Sequence, residues 1–445
     1  MKIYGLEKNK IIEVFKAGEI TVSVYGLGKM GLPLAAVFAD KGAKVIGVDI
    51  DKKVVDGVNK GTNHIPEEPE LTKIVEKNVS NGRLCATTDL VYGAKNSEVM
   101  IIIVPTFLDT NNNPDLSIVT SVCKSISKGL EVGDFVSLES TVPPRTTHDI
   151  ILPILEASGL KKGEFGVAHC PERTMSGTVL RDITRAYPKV VGGIDAESTE
   201  TAEALYSVIN EKGVIPVKDA TTAEAVKVVE GVYRDVNIAL ANQLALVCEE
   251  IGINAMEVFK VANTQPYSQL HTPSCGVGGH CIPVYPYFLI KTVNRDTSLL
   301  ELARKINDGM ARYTLEKIKS LLNGGLFEKN ILVLGLTYRG GVKETRKSPG
   351  VSLVKLLKES GARVFAYDPL LSLEEVEEFG AKYVQIEKAE DLDAVIIASD
   401  HKEFKSIDWF EIGKRMRNKV LIDGTQLVDP EQIKLNGFWF YGIGR

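Results

Sequence analysis

The sequence predicts an α/β protein: two doubly wound parallel sheets joined by a long central helix. Three observations carry this. Short apolar, β-branched runs alternate with helical stretches over residues 20–217. A second alternation of the same kind begins near Asn330. Between them, over residues 221–261, only Gly231 and Gly252 interrupt a helical pattern.

The start, "MKIYGLEKNKIIEVFKAGEI", reads as a short amphipathic helix and lacks the basic-then-apolar layout of a signal peptide. In "ITVSVYGLGKMGLPLAAVFADKGAKVIGVDI", ITVSVY is a buried strand and a glycine turn follows it. A helix runs to about Lys41, Gly42 caps it, and KVIGVD is the next strand. Later strands are "VMIIIVPT" (99–106), "DFVSLEST" (134–141), "FGVAHC" (165–170) and "KVVGG" (189–193). From Thr221 to about Ile251 one helix is expected, roughly 45 Å long at 1.5 Å per residue. That length suits a helix that spans domains or a subunit interface. In the second alternation "NILVLGLTY" is a strand, 349–360 a helix, and "RVFAYD", "AVIIASD" and "KVLIDGT" later strands. The expected domains are 1–217, a helical connector 218–314, and 315–445. Both α/β halves open on strand–glycine–helix, which is compatible with a distant duplication without establishing one.

A chain of 445 residues is too long for one ordinary core. With 44% apolar and 25% charged residues its composition is that of a soluble globular protein. A net charge of −5 provides no global field for nucleic acid, and no apolar window is long enough to span a membrane. The six cysteines (85, 123, 170, 248, 275 and 281) form no CxxC pair, so reduced thiols and a cytoplasmic setting are expected.

Gly26, Gly28 and Gly31 form GxGxxG directly after a strand, the dinucleotide fingerprint of a Rossmann-like unit. Gly26 makes the turn, Gly28 lets a pyrophosphate approach the backbone, and Gly31 permits close helix–strand packing. Asp49 ends the next strand, 18 residues after Gly31, where an acid bonds ribose hydroxyls and repels a 2′-phosphate. NAD is therefore favoured over NADP. Thr106 and Thr141 sit at the carboxyl ends of later strands, the rim where ligands bind; a turn hydroxyl is the alternative. On the long helix Lys227, Gly231 and Arg234 share one stripe with Asn237 near its edge, reading as a site or as an interface salt-bridge set.

"CGVGGHCIPVYPYFL" holds Cys275, His280 and Cys281. These three do not make a zinc pattern, and a disulfide conflicts with the reduced setting. A glycine-rich turn that exposes one nucleophilic thiol fits better, with a structural loop cysteine as the alternative. No metal is expected.

Together these residues resemble the nucleotide-sugar 6-dehydrogenases of the UDP-glucose dehydrogenase superfamily. "GGHCIPV" is similar to the catalytic loop of the branch acting on UDP-N-acetylhexosamines. Further matches are "YGLGKMGLPLA", "HIPEEPEL", "LESTVPPRTT", "CPERTMSG", "PKVVGG", "AEAVKVVEGVYRDVNIALANQL" and "GLTYRGGVKETRKSP", in the family's order. The resemblance implies a four-electron, NAD-dependent oxidation of a sugar C6 alcohol to the carboxylate. The leading substrate is UDP-N-acetyl-D-mannosamine. UDP-N-acetylglucosamine, UDP-N-acetylgalactosamine, and a homologue that binds without oxidising are the alternatives. In that reading Cys281 captures the aldehyde and then carries a thioester, Lys227 stabilises oxyanions, Glu172 acts as base or positions water, and Thr141 lies near the nicotinamide. Gly26, Gly28, Lys29, Met30, Gly31, Asp49, Thr106, Thr141 and Arg346 would hold NAD. Arg173, Thr174, Lys227, Arg234, Asn237, the backbone of Gly276, Gly278 and Gly279, Tyr338 and Arg339 would hold the substrate. The resemblance also implies a homodimer paired through the long helix. The chain departs from the family pattern at Gly231 (usually Asn), Tyr285 (usually Asp) and Arg339 (usually Lys). An arginine that often reaches substrate is missing from "TQPYSQLHTPSC".

Overall fold

Strand β1 (Thr21–Tyr25) is buried on both faces, with Val22 and Val24 on one and Ser23 and Tyr25 on the other, and pairs in parallel with two neighbours. Helix α1 (Lys8–Lys16) precedes it and buries Ile11, Val14 and Phe15. Helix α2 (Gly31–Asp40) returns the chain to β2 (Lys44–Val48). The structure, a computed structural model, describes residues 2–445. It divides into one unit of Met1–Glu230 with Tyr287–Val293 and another of Gly231–Pro286 with Asn294–Arg445.

The first unit continues with β3 (Leu84–Thr87), β4 (Val99–Ile102), β5 (Phe135–Leu138), β6 (Gly166–His169), β7 (Lys189–Gly193) and β8 (Val214–Pro216). Their order across the sheet is β8-β7-β6-β5-β4-β1-β2-β3. The six strands from β6 to the β3 edge are parallel, and the order reverses between β1 and β4, the switch point at which open α/β sheets bind ligands. The sheet is not parallel throughout, as the alternation had suggested. β7 pairs antiparallel with β6 (Ala168 opposite Gly193), and β8 follows β7 in parallel. An apolar run defines a strand, but the path of the connection sets its direction.

Helix α3 (Ala220–Glu250) is a single helix of 31 residues. Asp219 caps it by accepting the Thr222 N–H at 2.8 Å. Gly252, at φ 77°, ends it in the left-handed conformation while the Ile253 N–H reaches back to Cys248. The division between the units falls inside this helix, which joins the two sheets.

In the second unit α3 packs on α5 (Ser298–Leu321) through a buried polar seam; a short helix α4 (Tyr285–Ile290) lies between them in the chain. Asn242 donates to Asn307 at 2.9 Å, and Arg304 pairs with buried Asp235. Six parallel strands follow: β9 (Asn330–Leu334), β10 (Arg363–Tyr367), β11 (Lys382–Tyr383), β12 (Ala394–Ile397), β13 (Val420–Asp423) and β14 (Trp439–Gly442). Helix α6 (Pro349–Glu359) joins β9 to β10. Their order, β11-β10-β9-β12-β13-β14, repeats the first six strands of unit one. The turns repeat as well. A Cβ on Gly31 would overlap the Gly26 carbonyl oxygen, and one on Gly350 would overlap that of Gly335. Each pair lets its helix close onto its strand.

Candidate active site

The glycine turn of the first unit has the form a dinucleotide requires. Gly26 has φ 96°, a conformation open to glycine and strained for other residues. A Cβ on Gly28 would meet nothing within 4 Å, so this backbone is open to an incoming group at the start of α2. Asp49 is half-buried at the end of β2. One of its carboxylate oxygens accepts the Leu27 N–H (2.8 Å) and the other the Asp51 N–H (2.9 Å). Lys29 pairs with Glu67 at 2.9 Å, and the His64 ring bonds the Leu27 carbonyl oxygen at 2.9 Å. The "HIPEEPEL" segment therefore braces the turn. The residues present fit NAD: an open turn backbone for the diphosphate and a carboxylate for the ribose.

The corresponding turn of the second unit is closed to such use. Its acid, Asp368, is buried and accepts from Leu336 N (2.8 Å), Thr337 N (2.9 Å), Thr337 Oγ1 (3.0 Å) and His401 Nε2 (3.2 Å). Burial alone would raise this carboxyl, but His401 and the backbone donors hold it down at about 2.

Thr106 and Thr141 meet at the rim of the first sheet, where the Thr106 hydroxyl donates to the Thr141 carbonyl oxygen at 2.7 Å. Just beyond β6, the "CPER" segment folds on itself: Glu172 accepts the N–H groups of Arg173 (2.6 Å) and Thr174 (2.9 Å). Thr174 Oγ1 lies 3.0 Å from the Met30 sulfur, so this segment borders the glycine turn. The Arg173 guanidinium pairs with Glu230 (2.7 Å) and lies over the Tyr187 ring.

Behind Glu172 lies a buried charge cluster that the motifs did not reveal. Lys189, the first residue of β7, places its ammonium 2.7 Å from Glu139 and 3.5 Å from Glu172. Tyr206 donates its hydroxyl to Glu139 and bonds Ser137 at 2.8 Å. Burial pushes Glu139 up to about 7 against the pull of Lys189. Burial would also raise Glu172, but Lys189 and Lys227 outweigh it and hold that carboxyl below its ordinary range. Lys227, from α3, is thus within electrostatic reach of Glu172. The signal for the cluster was present in "VSLEST" and "PKVVGG", where charged residues adjoin strands buried on both faces.

In the second unit the Cys281 loop is built against the turn after β9. A Cβ on Gly279 would lie 3.2 Å from the Tyr338 ring, and one on Gly276 3.2 Å from Pro349. One on Gly278 would crowd Tyr338 Cβ and the Lys347 carbonyl oxygen. These glycines let the loop close onto its neighbours, and the Gly279 N–H is already donated to the Arg346 carbonyl (2.8 Å). Cys281 is half-buried. Its hydrogen bond to the His280 side chain raises the imidazole pKa. A protonated imidazole beside a thiol would favour thiolate. The phenol of Tyr338 is raised by burial and feels Arg339, Cys281, Glu344 and Arg234. The guanidinium of Arg339 lies over its ring at 5.9 Å. Arg234 is exposed on α3, while Asn237 turns its amide back to the Tyr233 carbonyl of the same helix at 2.7 Å. Cys275 is buried and its thiol is pushed up to about 12 by burial, which leaves it inert. None of the six cysteines is in a disulfide.

Three family models cover the chain. They are the NAD binding domain (residues 20–210), the central domain (221–309) and the UDP binding domain (332–430) of the UDP-glucose/GDP-mannose dehydrogenase family. A UDP-N-acetyl-D-mannosamine dehydrogenase of Pyrococcus horikoshii is 39% identical over 429 residues, 95% of this chain and 99% of that protein. An NDP-N-acetyl-D-galactosaminuronic acid dehydrogenase of Ralstonia nicotianae is 35% identical over 427 residues, 93% and 97% of the two chains. The solved structure of the Pyrococcus horikoshii UDP-D-ManNAc dehydrogenase superposes with a TM-score of 0.89 at 38% identity, covering 96% of this chain and 99% of that one.

Proposed function

The chain belongs to the UDP-glucose/GDP-mannose dehydrogenase family and is an NAD-dependent nucleotide-sugar 6-dehydrogenase, and within that family we propose UDP-N-acetyl-D-mannosamine as its substrate, oxidised at C6 to the uronate. The pairing of Cys281 with His280 in a glycine loop closed onto Tyr338 carries the covalent part of this reading. Bound NAD supplies the hydride acceptor for each of the two oxidations. The turn at Gly26, Gly28 and Gly31, with Lys29, Met30, Asp49, Thr106 and Thr141, holds it, and Arg346 is assigned to the same ligand.

The remaining steps belong to the protein's own groups. The Cys281 thiolate adds to the C6 aldehyde, giving a thiohemiacetal that holds the sugar between oxidations, and then carries the acyl group as a thioester until water releases the carboxylate. Lys227 stabilises the oxyanions of both additions, and Glu172, held ionised by Lys189 and Lys227, orients the water. Tyr338, Arg339, Arg173, Thr174, Arg234, Asn237 and the Gly276–Gly279 backbone are assigned to the substrate.

The choice of mannosamine rests on the names of relatives in the 35–39% identity range. The relative named an NDP-N-acetyl-D-galactosaminuronic acid dehydrogenase, at 35% identity, supports an epimeric sugar as the second reading. Turnover on purified UDP-N-acetylhexosamine epimers decides between them. With limiting substrate two NADH should form per sugar; one would reject the double oxidation. Cys281→Ala should abolish uronate release. We also propose a homodimer through α3, supported by the exposed apolar stripe Tyr233, Leu240 and Val247.

A further inference from the structure

Helix α3 holds one glycine in its 31 residues, and it lies in the interior. Glycine there is unfavourable relative to alanine, and the backbone of Gly231 is helical, so its conformation does not require glycine. Space does. A Cβ at 231 would overlap Cδ2 of Tyr285 and stand 3.1 Å from both its Cβ and its Cγ. The ring of Tyr285 occupies the place of the missing methyl and is buried there. Tyr285 also opens α4, and its N–H donates to the Cys281 carbonyl at 3.0 Å, as does that of Val284. The turn that carries the thiol therefore ends on a residue keyed into the long helix.

We propose that Tyr285 is a positioning residue, whose ring, seated on Gly231, sets where the Cys281 thiol stands. The contact with Gly231 is made by Cβ and the near edge of the ring, so the proposed role is one of shape. The kinetic consequence rests on reading Cys281 as the nucleophile; the structural consequence does not.

The test is a double-mutant cycle on the full-length protein with Gly231→Ala, Tyr285→Ala, both together, and Tyr285→Phe. Stability is read by chemical denaturation. Cys281 is read by the pH dependence of its alkylation, resolved by peptide mass spectrometry with exposed Cys85 as internal control. Alanine at 231 should destabilise the Tyr285 protein yet be neutral or stabilising in the Tyr285→Ala protein, where helix propensity alone remains. Both single alanine variants should move the Cys281 alkylation profile, leave that of Cys85 unchanged, and lower kcat about tenfold. Tyr285→Phe should match wild type. If Gly231→Ala does not fold, the double variant compared with Tyr285→Ala still gives the sign. Simple additivity, an unmoved Cys281 profile, or a Tyr285→Phe protein as impaired as Tyr285→Ala would each overturn the proposal. Uronate formation surviving Cys281→Ala would instead reject the catalytic reading and leave the cycle interpretable.

Discussion

Lys189 shows how one side chain shapes the chemistry of another. It sits between two buried carboxylates, and its charge is part of what keeps Glu172 ionised. Without it, burial governs, and the Glu172 pKa rises. Because Glu172 is proposed to work as a carboxylate, the acid limb of the rate profile should move to higher pH in Lys189→Met. Lys189→Arg, which keeps the charge, should hold that limb near wild type. Lys189→Met also strands Glu139 and Glu172, at a cost of about 3–5 kcal/mol in stability. A Lys189→Met enzyme of reduced stability with an unmoved acid limb would make this lysine purely structural. Cys281, Lys227 and Glu172 stand out in the sequence because each sits in a compact motif. Lys189 does not, because its partners lie 50 and 17 residues away and only the sheet brings them together.

At the scale of elements, the long helix was the most legible feature: an unbroken helical pattern with Gly252 as its stop and no breaker before it but Gly231. Read along the sequence, that glycine belonged to a polar stripe; in the fold it is the seat of Tyr285. The two departures from the family pattern, Gly231 and Tyr285, are thus in contact. The antiparallel turn of β7 was illegible for a different reason, since strand composition carries no direction. Nor did the motifs single out α5, whose buried Arg304 and Asn307 answer Asp235 on α3. The outer face of α3 makes its own prediction. Tyr233, Leu240 and Val247 recur at seven-residue spacing and are 52%, 46% and 45% exposed. Apolar side chains repeated on one helical face suit a partner helix. Leu240→Glu should convert the proposed dimer to a monomer in sedimentation equilibrium. An unchanged mass would place the dimer contact elsewhere or remove it.

For the whole molecule, the same strand order is used twice, with opposite uses of one position. The acid after the second strand of each sheet reaches the glycine turn: Asp49 in one unit, Asp368 in the other. Asp49 is half-buried and open to a ribose, whereas Asp368 is consumed by Thr337, His401 and the turn backbone. NAD should therefore stabilise the first unit and UDP the second. At a hundredfold excess over Kd, binding adds about 2.7 kcal/mol to the liganded unit. For units of this size that raises the melting midpoint by about 5–10 °C. Calorimetry should show NAD and UDP moving different parts of the transition. Asp49→Asn should shrink the NAD shift and leave the UDP shift intact. Asp368→Asn should lower the UDP-sensitive transition without any ligand present. Its pH sign follows from a native pKa of about 2. The stabilisation by Asp368 is complete above its unfolded value near 3.8 and is lost as pH falls through 2, so the gap between wild type and Asp368→Asn should close on acidification. One transition that both ligands move equally, with the two Asn variants indistinguishable, would mean that the two sheets unfold as one and that this division of labour does not hold.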